Sequence, residues 1–456
     1  MSFIDLRFLF IFLPVVLIVS FVLKGRIKEV VLLLASLLFY YINSDLTVVL
    51  LLISLGLTIL IGKAMADEQK RKNKLILLVF GVLLNASALV GYKVYNRFDT
   101  NVFIPLGLSF LTFKSISYLV DTYKEKVERS NPIHTALYLS IFTQIQSGPI
   151  SRYNDFESIT EKEDIWKYRI NGLYRFFVGL CKKVLIADVL AKIVNEIFNS
   201  SVDTLSSSYA WLGSICFSLQ LFYDFAGYSD MAIGLTEFVG FKCKENFVYP
   251  YMTENISSFW RRWHISLSEW FRDYVYIPLG GSRKGKYRVY FNLLIVWLLT
   301  GLWHGLSLNF VIWGLGYFVL ISFERLIKIT ERIKSKPAKI LYRFFSLFFI
   351  NIEWVIFKAK SASYAFSYIA RMFYSPDNHI ADKRTILLLN DYWLFILLAV
   401  IFCFPVIPAL EKKLEDKTKI KNIYDIIYGV VLIVGFIWAV SFIVSGQNNP
   451  FAYGNF

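Results

Sequence analysis

Long apolar blocks run through this chain, separated by short polar or basic breaks. The blocks Phe8 to Leu23, Val30 to Tyr41, Leu46 to Ile61 and Leu75 to Tyr92 come first. Plainer ones around Tyr290 to Leu302, Phe310 to Phe323, Ile340 to Phe357, Tyr392 to Leu410 and Ile423 to Phe442 come last. Roughly 20 apolar residues make one spanning helix, so the pattern predicts an all-α polytopic membrane protein with about ten or eleven transmembrane helices. The first block follows Arg7, lacks a small-residue cleavage site and is followed at once by further spans. It reads as a first helix and not as a removed signal.

The middle of the chain departs from this pattern. Phe103 to Tyr123 carries Pro105, Gly107, several hydroxyl residues and Lys114, and runs into the charged Asp121 to Arg129. Broken, polar helices survive at membrane depth only where protein or a water-filled cavity surrounds them, so this segment is expected to line the core. A weakly apolar run from Thr135 follows, then a sharp break at QSGPISR (Gln146 to Arg152), then an amphipathic stretch from Tyr168 to Phe198 with Lys182 and Lys183. After Trp211 to Phe222, the run FYDFAGYSDMAIGL (Phe222 to Leu235) sets Asp224 and Asp230 in apolar sequence, where both carboxylates need partners. Re-entrant and interfacial helices are therefore expected beside the spans. No soluble linker or internal repeat is visible, which predicts a single integral-membrane domain over residues 1–456.

Composition supports the membrane setting: 56% of residues are hydrophobic, 18% aromatic and only 18% charged, with a mean hydropathy of +0.52. A soluble domain carries more charge than this. The net charge of +15 lies in short clusters between apolar runs, the distribution of the positive-inside rule and not of a nucleic-acid surface. Lys24 to Lys28 and Lys70 to Lys74 are two crossings apart, and Asn43-Ser44-Asp45 between them has no cation. Both clusters then face the cytoplasm, the N-terminus faces out, and the basic runs Arg325 to Lys339 and Lys412 to Lys421 extend the same assignment. The four cysteines, Cys181, Cys216, Cys243 and Cys403, form no CxxC and read as small hydrophobes, so no metal site is expected.

Two histidines stand out because polar groups held within a bilayer protein are expensive. His264 lies in FWRRWHISLSEWFRDYVYIPLGG (Phe259 to Gly281). Read as a helix, this segment sets Trp260, Trp263, Leu267, Trp270, Phe271 and Tyr274 on one arc and Arg261, Arg262, Glu269, Arg272 and Asp273 on the other. His264 falls on the aromatic arc, pointing into protein or a pocket. A buried histidine with both nitrogens hydrogen-bonded is the plainer alternative. His304 lies in LLTGLWHGLSLNFVIWG (Leu298 to Gly314). If its helix starts after the basic run Arg283 to Arg288, sixteen residues advance roughly 24 Å, short of the ~30 Å hydrocarbon thickness. Gly301, Gly305 and Asn309 flank it as at a helical break, and an imidazole there can take a proton from a hydroxyl nucleophile. A structural histidine joining two helices remains the alternative.

Gly280, Gly285 and Lys286 match the spacing of a phosphate-binding loop, but Tyr287 replaces the magnesium-binding hydroxyl and no strand precedes it. The GGSRKGK turn, with Arg283, Lys284 and Lys286, can still grip the phosphates of an acyl carrier or nucleotide, or be a plain positive-inside loop. No nucleophile elbow and no H-E-x-x-H occurs. His134 and His379 lie in ordinary polar connections.

The chain resembles the membrane-bound O-acyltransferases, in particular the alginate and peptidoglycan O-acetyltransferase branch. The resemblance rests on PLGLSFLTFKSISYLVDTY (Pro105 to Tyr123), QSGPISR, FYDFAGYSDMAIGL, the ENF-x-x-PY piece (Glu245 to Tyr251) and the two histidine segments, a motif core over about residues 105–320. It implies helices around a central tunnel, a cytoplasmic thioester donor such as acetyl-CoA, and an extracytoplasmic polysaccharide acceptor. Transfer is direct or through an esterase-like envelope partner. The implied location is the bacterial cytoplasmic (inner) membrane. The family's W-H-G histidine maps onto His304 and its R-R-W-H histidine onto His264, the first as base or transient relay and the second in support. Trp303, Trp263 and Arg262 belong to the same motifs and are candidate substrate-binding residues. Tyr223, Asp224, Asp230 and Asn309 either shape the tunnel or satisfy one another's hydrogen bonds. Three other readings stay open: D-alanyl transfer to teichoic acid from a carrier protein; a transporter or flippase for an envelope glycan, which would be expected to show repeats; and a purely structural membrane subunit of a polysaccharide export assembly, which leaves both histidines without a task.

Overall fold

In the computed structural model the described residues are 1–98, 105–127, 131–159, 164–375, 382–447, 449 and 451. His379 and the ends of two predicted segments, at 103–104 and 128–129, lie outside them. The described chain is helical throughout, and its strand-like pairing is the single bridge between Ser158 and Phe241.

Seven helices are long and apolar enough to cross a membrane: Gly25–Ser44, Val48–Asp67, Arg71–Asn96, Leu308–Leu326, Lys336–Lys358, Lys383–Phe402 and Thr418–Val444. Phe8–Val22 is a shorter apolar helix. Their outward faces are hydrocarbon: Val430, Val431, Ile433, Val434 and Ile437 on the last helix are all exposed, as are Leu50, Leu52 and Ile53 on an early one. Apolar side chains in that number belong against lipid, so this is a multi-pass membrane protein.

The hydropathy count of ten or eleven spans exceeds these seven because Phe8–Val22 is short and Leu108–Tyr123, Ser207–Phe238 and Lys286–His304 carry polar residues turned inward. Ser207–Phe238 is the pillar of the fold, a 32-residue helix buried along nearly its whole length. It packs against Ile165–Cys181, Asp188–Asn199, Lys336–Lys358, Ala362–Phe373 and Lys383–Phe402. Its closest approach is to Ile165–Cys181, backbone against backbone. A Cβ at Gly172 would meet the Gly234 carbonyl at 2.4 Å and one at Gly179 the Gly227 carbonyl at 2.5 Å, and the reverse contacts are as tight. Small residues at such a crossing are what let two membrane helices touch along their backbones.

Polar residues set the helix ends. Asn131 caps Ile133 ahead of Pro132, Ser335 caps Ala338, Ser361 caps Tyr364 and Asp382 caps Thr385. The last cap corrects the span expected over Tyr392 to Leu410: the helix starts at Lys383 and ends at Phe402, where Pro405 intervenes before the separate helix Val406–Leu414. The amphipathic stretch from Tyr168 is likewise three joined pieces, Ile165–Cys181, a π turn Lys182–Ala187, and Asp188–Asn199.

As expected, Leu108–Tyr123 is buried on almost every side. Its Lys114 donates to the Tyr138 carbonyl at 3.0 Å and to Gln144 Oε1 at 2.9 Å. His134 is helical and not in a connection; its Nδ1 lies 2.8 Å from Glu29 Oε1, which gives it a structural partner on another helix.

Candidate active site

Lys286–His304 rises from the GGSRKGK turn, which Asn292 ties to the helix by donating to the Gly281 carbonyl at 3.1 Å. The helix ends at His304 and the next begins at Leu308. Nineteen residues advance about 27 Å, still short of the ~30 Å hydrocarbon thickness. The two helices cross at glycines: a Cβ on Gly314 would meet the Trp297 carbonyl at 2.4 Å, and one on Gly301 the Phe310 carbonyl at 2.5 Å. This crossing sets where the imidazole of His304 lies.

The ring of His304 is 5% exposed and enclosed by aromatics, with centroids at 4.6 Å to Trp303, 5.0 Å to Trp313 and 5.0 Å to Phe357. Lys93, from Arg71–Phe98, donates its ammonium to the Trp303 carbonyl and lies 6.0 Å from the Trp303 ring. A cation there faces the negative end of the His304 helix. Sequence reasoning passed over Lys93, although a lone lysine near the end of an apolar helix was a signal for it.

His264 corrects the helical-wheel picture. Phe259 to Tyr276 is not one helix but Ile256–Trp260, Ile265–Phe271 and a π turn Arg272–Tyr276, hinged at His264 with φ 44° and ψ 54°. A left-handed non-glycine backbone costs about 1–3 kcal/mol and must be held by its surroundings. Here the Ile265 N–H donates to the Asn246 carbonyl at 3.0 Å, and the Val248 N–H donates to the Arg262 carbonyl at 3.0 Å. The start of the segment is held by Glu324, whose carboxylate accepts from the N–H groups of Ile256 and Ser257 at 2.7 and 2.8 Å. The aromatic arc is nevertheless buried as the wheel implied, Trp260, Trp263, Leu267, Trp270 and Phe271 included.

The His264 ring is 1% exposed, 4.6 Å from Phe225 and 6.3 Å from Trp303. Trp303 therefore contacts both histidines. Trp303 also joins Phe110, Phe113, Ile150, Leu267, Trp270 and Phe271 in a small apolar cluster separate from the two larger cores. Two ionisable rings beside one indole, walled by aromatics, can exchange protons with a substrate while excluding bulk water.

The other predicted residues divide. Trp263 belongs to the adjoining wall, 4.9 Å from Trp354 and 5.1 Å from Phe247. Asn309 donates to the Ile356 and Ala359 carbonyls at 3.3 and 3.0 Å, beside Phe310 and Phe357, whose rings face His304. Tyr223 instead donates to the Ala399 carbonyl at 2.6 Å, tying the pillar to Lys383–Phe402. Asp224 pairs with the buried Lys183 at 2.6 Å, and Asp230 with Lys182 at 2.6 Å and Arg175 at 2.9 Å. These three side chains join helices and are not gathered at the imidazoles. Arg262 is half-buried, and Arg283, Lys284 and Lys286 are exposed on the turn at the far end of the His304 helix. Among the described residues no group of three or more His, Cys, Asp or Glu could hold a metal ion.

These features define a multi-pass membrane protein with a histidine pair sealed among aromatic rings. Residues 35–366 match the sequence profile of the membrane-bound O-acyltransferase family. A protein of Azotobacter vinelandii named probable alginate O-acetylase AlgI is 35% identical over 402 residues, covering 82% of this chain and 78% of its own. The peptidoglycan O-acetyltransferase of Helicobacter pylori is 34% identical over 413 residues, covering 80% and 78%. The teichoic acid D-alanyltransferase of Bacillus subtilis is 31% identical over 276 residues, covering 56% and 69%. The chain belongs to the membrane-bound O-acyltransferase family, and it is an O-acyltransferase.

Proposed function

We propose that this enzyme moves an acetyl group from a cytoplasmic thioester, acetyl-CoA, to hydroxyls of an extracytoplasmic envelope polysaccharide, directly or through an esterase-like partner protein. The reading includes residence in the bacterial cytoplasmic membrane with the N-terminus outside. The observation that carries it is the joint contact of His264 and His304 with Trp303 at the end of a helix that starts in a cationic turn. That turn, with Arg283, Lys284 and Lys286, would hold the donor's phosphates at the start of the helix that ends at His304.

In this reading the sugar hydroxyl oxygen attacks the thioester carbonyl as His304 takes its proton. The C–S bond breaks, and the proton passes to the departing thiolate. His304 can alternatively carry the acyl group transiently, and His264 supports it by positioning or by stabilising developing charge. Trp303, Trp263 and Asn309 build the wall around the reacting groups. The similarity to alginate and peptidoglycan O-acetyltransferases over 82% and 80% of the chain, against 56% for the D-alanyltransferase, favours acetyl over D-alanyl transfer. His304→Ala should insert and fold yet abolish acetylation. Native amounts of acetate released by saponifying the polysaccharide of that variant would refute it.

A further inference from the structure

Asn246, in the connection after the pillar helix, is fully buried and sits directly against His264. Its side-chain oxygen Oδ1 lies 3.1 Å from His264 Nδ1 and accepts from the Ser266 hydroxyl at 2.8 Å and the Ser266 N–H at 3.3 Å. Its amide Nδ2 donates to Ser229 Oγ at 3.1 Å. The orientation of this amide follows from its partners. The Ile150 N–H donates to Ser266 Oγ at 2.9 Å, so the Ser266 hydroxyl proton is free to go to Asn246. A flipped amide would set its NH2 against the Ser266 N–H, donor against donor.

Oδ1 is therefore an acceptor, and the nitrogen facing it must carry the proton. That makes neutral His264 the Nδ1–H tautomer. Its other nitrogen, Nε2, is buried and has no hydrogen-bond partner among the described residues. A buried polar atom left without a partner is costly, and in an active site it marks where a substrate group belongs.

We propose that Asn246 is a positioning residue, holding His264 as the Nδ1–H tautomer so that Nε2 serves the reacting groups as a hydrogen-bond acceptor. This rests on the assignment of His264 to the reacting pair and narrows it. A neutral ring committed in this way cannot donate to an oxyanion; it can only receive an N–H or O–H. The logic is that of any imidazole whose second nitrogen is fixed by an outer partner. The same connection also props the left-handed backbone of His264 through the Ile265 N–H, so one residue sets both ring and hinge.

The test uses the full chain in permeabilised membranes, with radiolabelled acetyl-CoA as donor probe and the endogenous polysaccharide as acceptor. Asn246→Leu removes the acceptor and should lower kcat about 100-fold with KM for acetyl-CoA unchanged. Asn246→Asp keeps an oxygen toward Nδ1 while losing the donor to Ser229, and should recover activity to within about tenfold of native. A purely structural residue would lower the yield of folded protein in both variants and leave the kcat of the folded fraction unchanged. Native kcat in Asn246→Leu, or a folded Asn246→Asp as inactive as Asn246→Leu, overturns the proposal. Failure of both variants to fold, read by melting in detergent, assigns Asn246 to structure alone and also overturns it. His264→Ala separates the two levels: full activity there removes His264 from the reacting pair, whereas an inactive His264→Ala beside a native Asn246→Leu sinks only the role of Asn246.

Discussion

Replacing Gly314 by alanine tests how tightly the catalytic reading depends on one helix crossing. The added methyl would sit 2.4 Å from the Trp297 carbonyl oxygen and 3.4 Å from Gly301 Cα. Folded proteins do not hold a Cβ within 3.0 Å of another heavy atom, so Lys286–His304 and Leu308–Leu326 must part by at least about 0.6 Å in a close-packed interior. The obstacle is backbone, so no side chain can rotate away. Overpacking of this kind costs about 1–3 kcal/mol. The larger effect is at the site, because His304 ends one helix while Trp313, on the other, stands 5.0 Å from its ring. Misplacing a reacting group by about 1 Å can cost a hundredfold in rate, so a loss of roughly 10- to 100-fold in kcat is expected. The assay is acetate released from saponified polysaccharide, normalised to folded protein. Gly91→Ala is the control, since nothing lies within 4 Å of its added methyl. Native activity in Gly314→Ala would refute the claim that this crossing sets the reactive geometry.

Glu324→Ala should destabilise the hinged segment by about 2–3 kcal/mol, since it orphans the Ile256 and Ser257 N–H groups that a charged acceptor now holds; an unchanged melting temperature would exclude that capping role. Lys183→Met leaves Asp188 and Asp224 buried without the ammonium that lies 2.7 and 2.6 Å from them. A loss of about 3–5 kcal/mol is expected, with partial recovery when Asp188→Asn and Asp224→Asn are added; melting of purified protein in detergent reads both.

The apolar blocks gave away most of the membrane helices because burial in lipid leaves hydropathy as the dominant signal. The break at Gln146 to Arg152 and the end of a helix at His304 were also legible, through glycine, proline and polar residues. Tertiary facts were not. Lys182, Lys183, Asp224 and Asp230 were each visible, but their pairing across two helices has no local signature. The hinge at His264 was hidden because a periodicity argument assumes one continuous helix, whereas the turn is imposed by hydrogen bonds from residues near 246. Asn246 itself lay inside a recognisable motif, yet nothing in the local sequence tells which of its neighbours will meet an imidazole. The limits of Lys383–Phe402 came from Asp382 and Pro405, which hydropathy averages away.

The glycine-to-glycine crossing of Ile165–Cys181 on Ser207–Phe238 has a mechanical consequence. With bare peptide groups in contact at Gly172, Gly179, Gly227 and Gly234, the spacing of the two helices at these points is set by backbone against backbone. They form a stiff plate. If a donor and a sugar reach the enzyme from opposite leaflets, the breathing that admits them must come from elements packed on this plate, with the pair itself serving as the fixed wall.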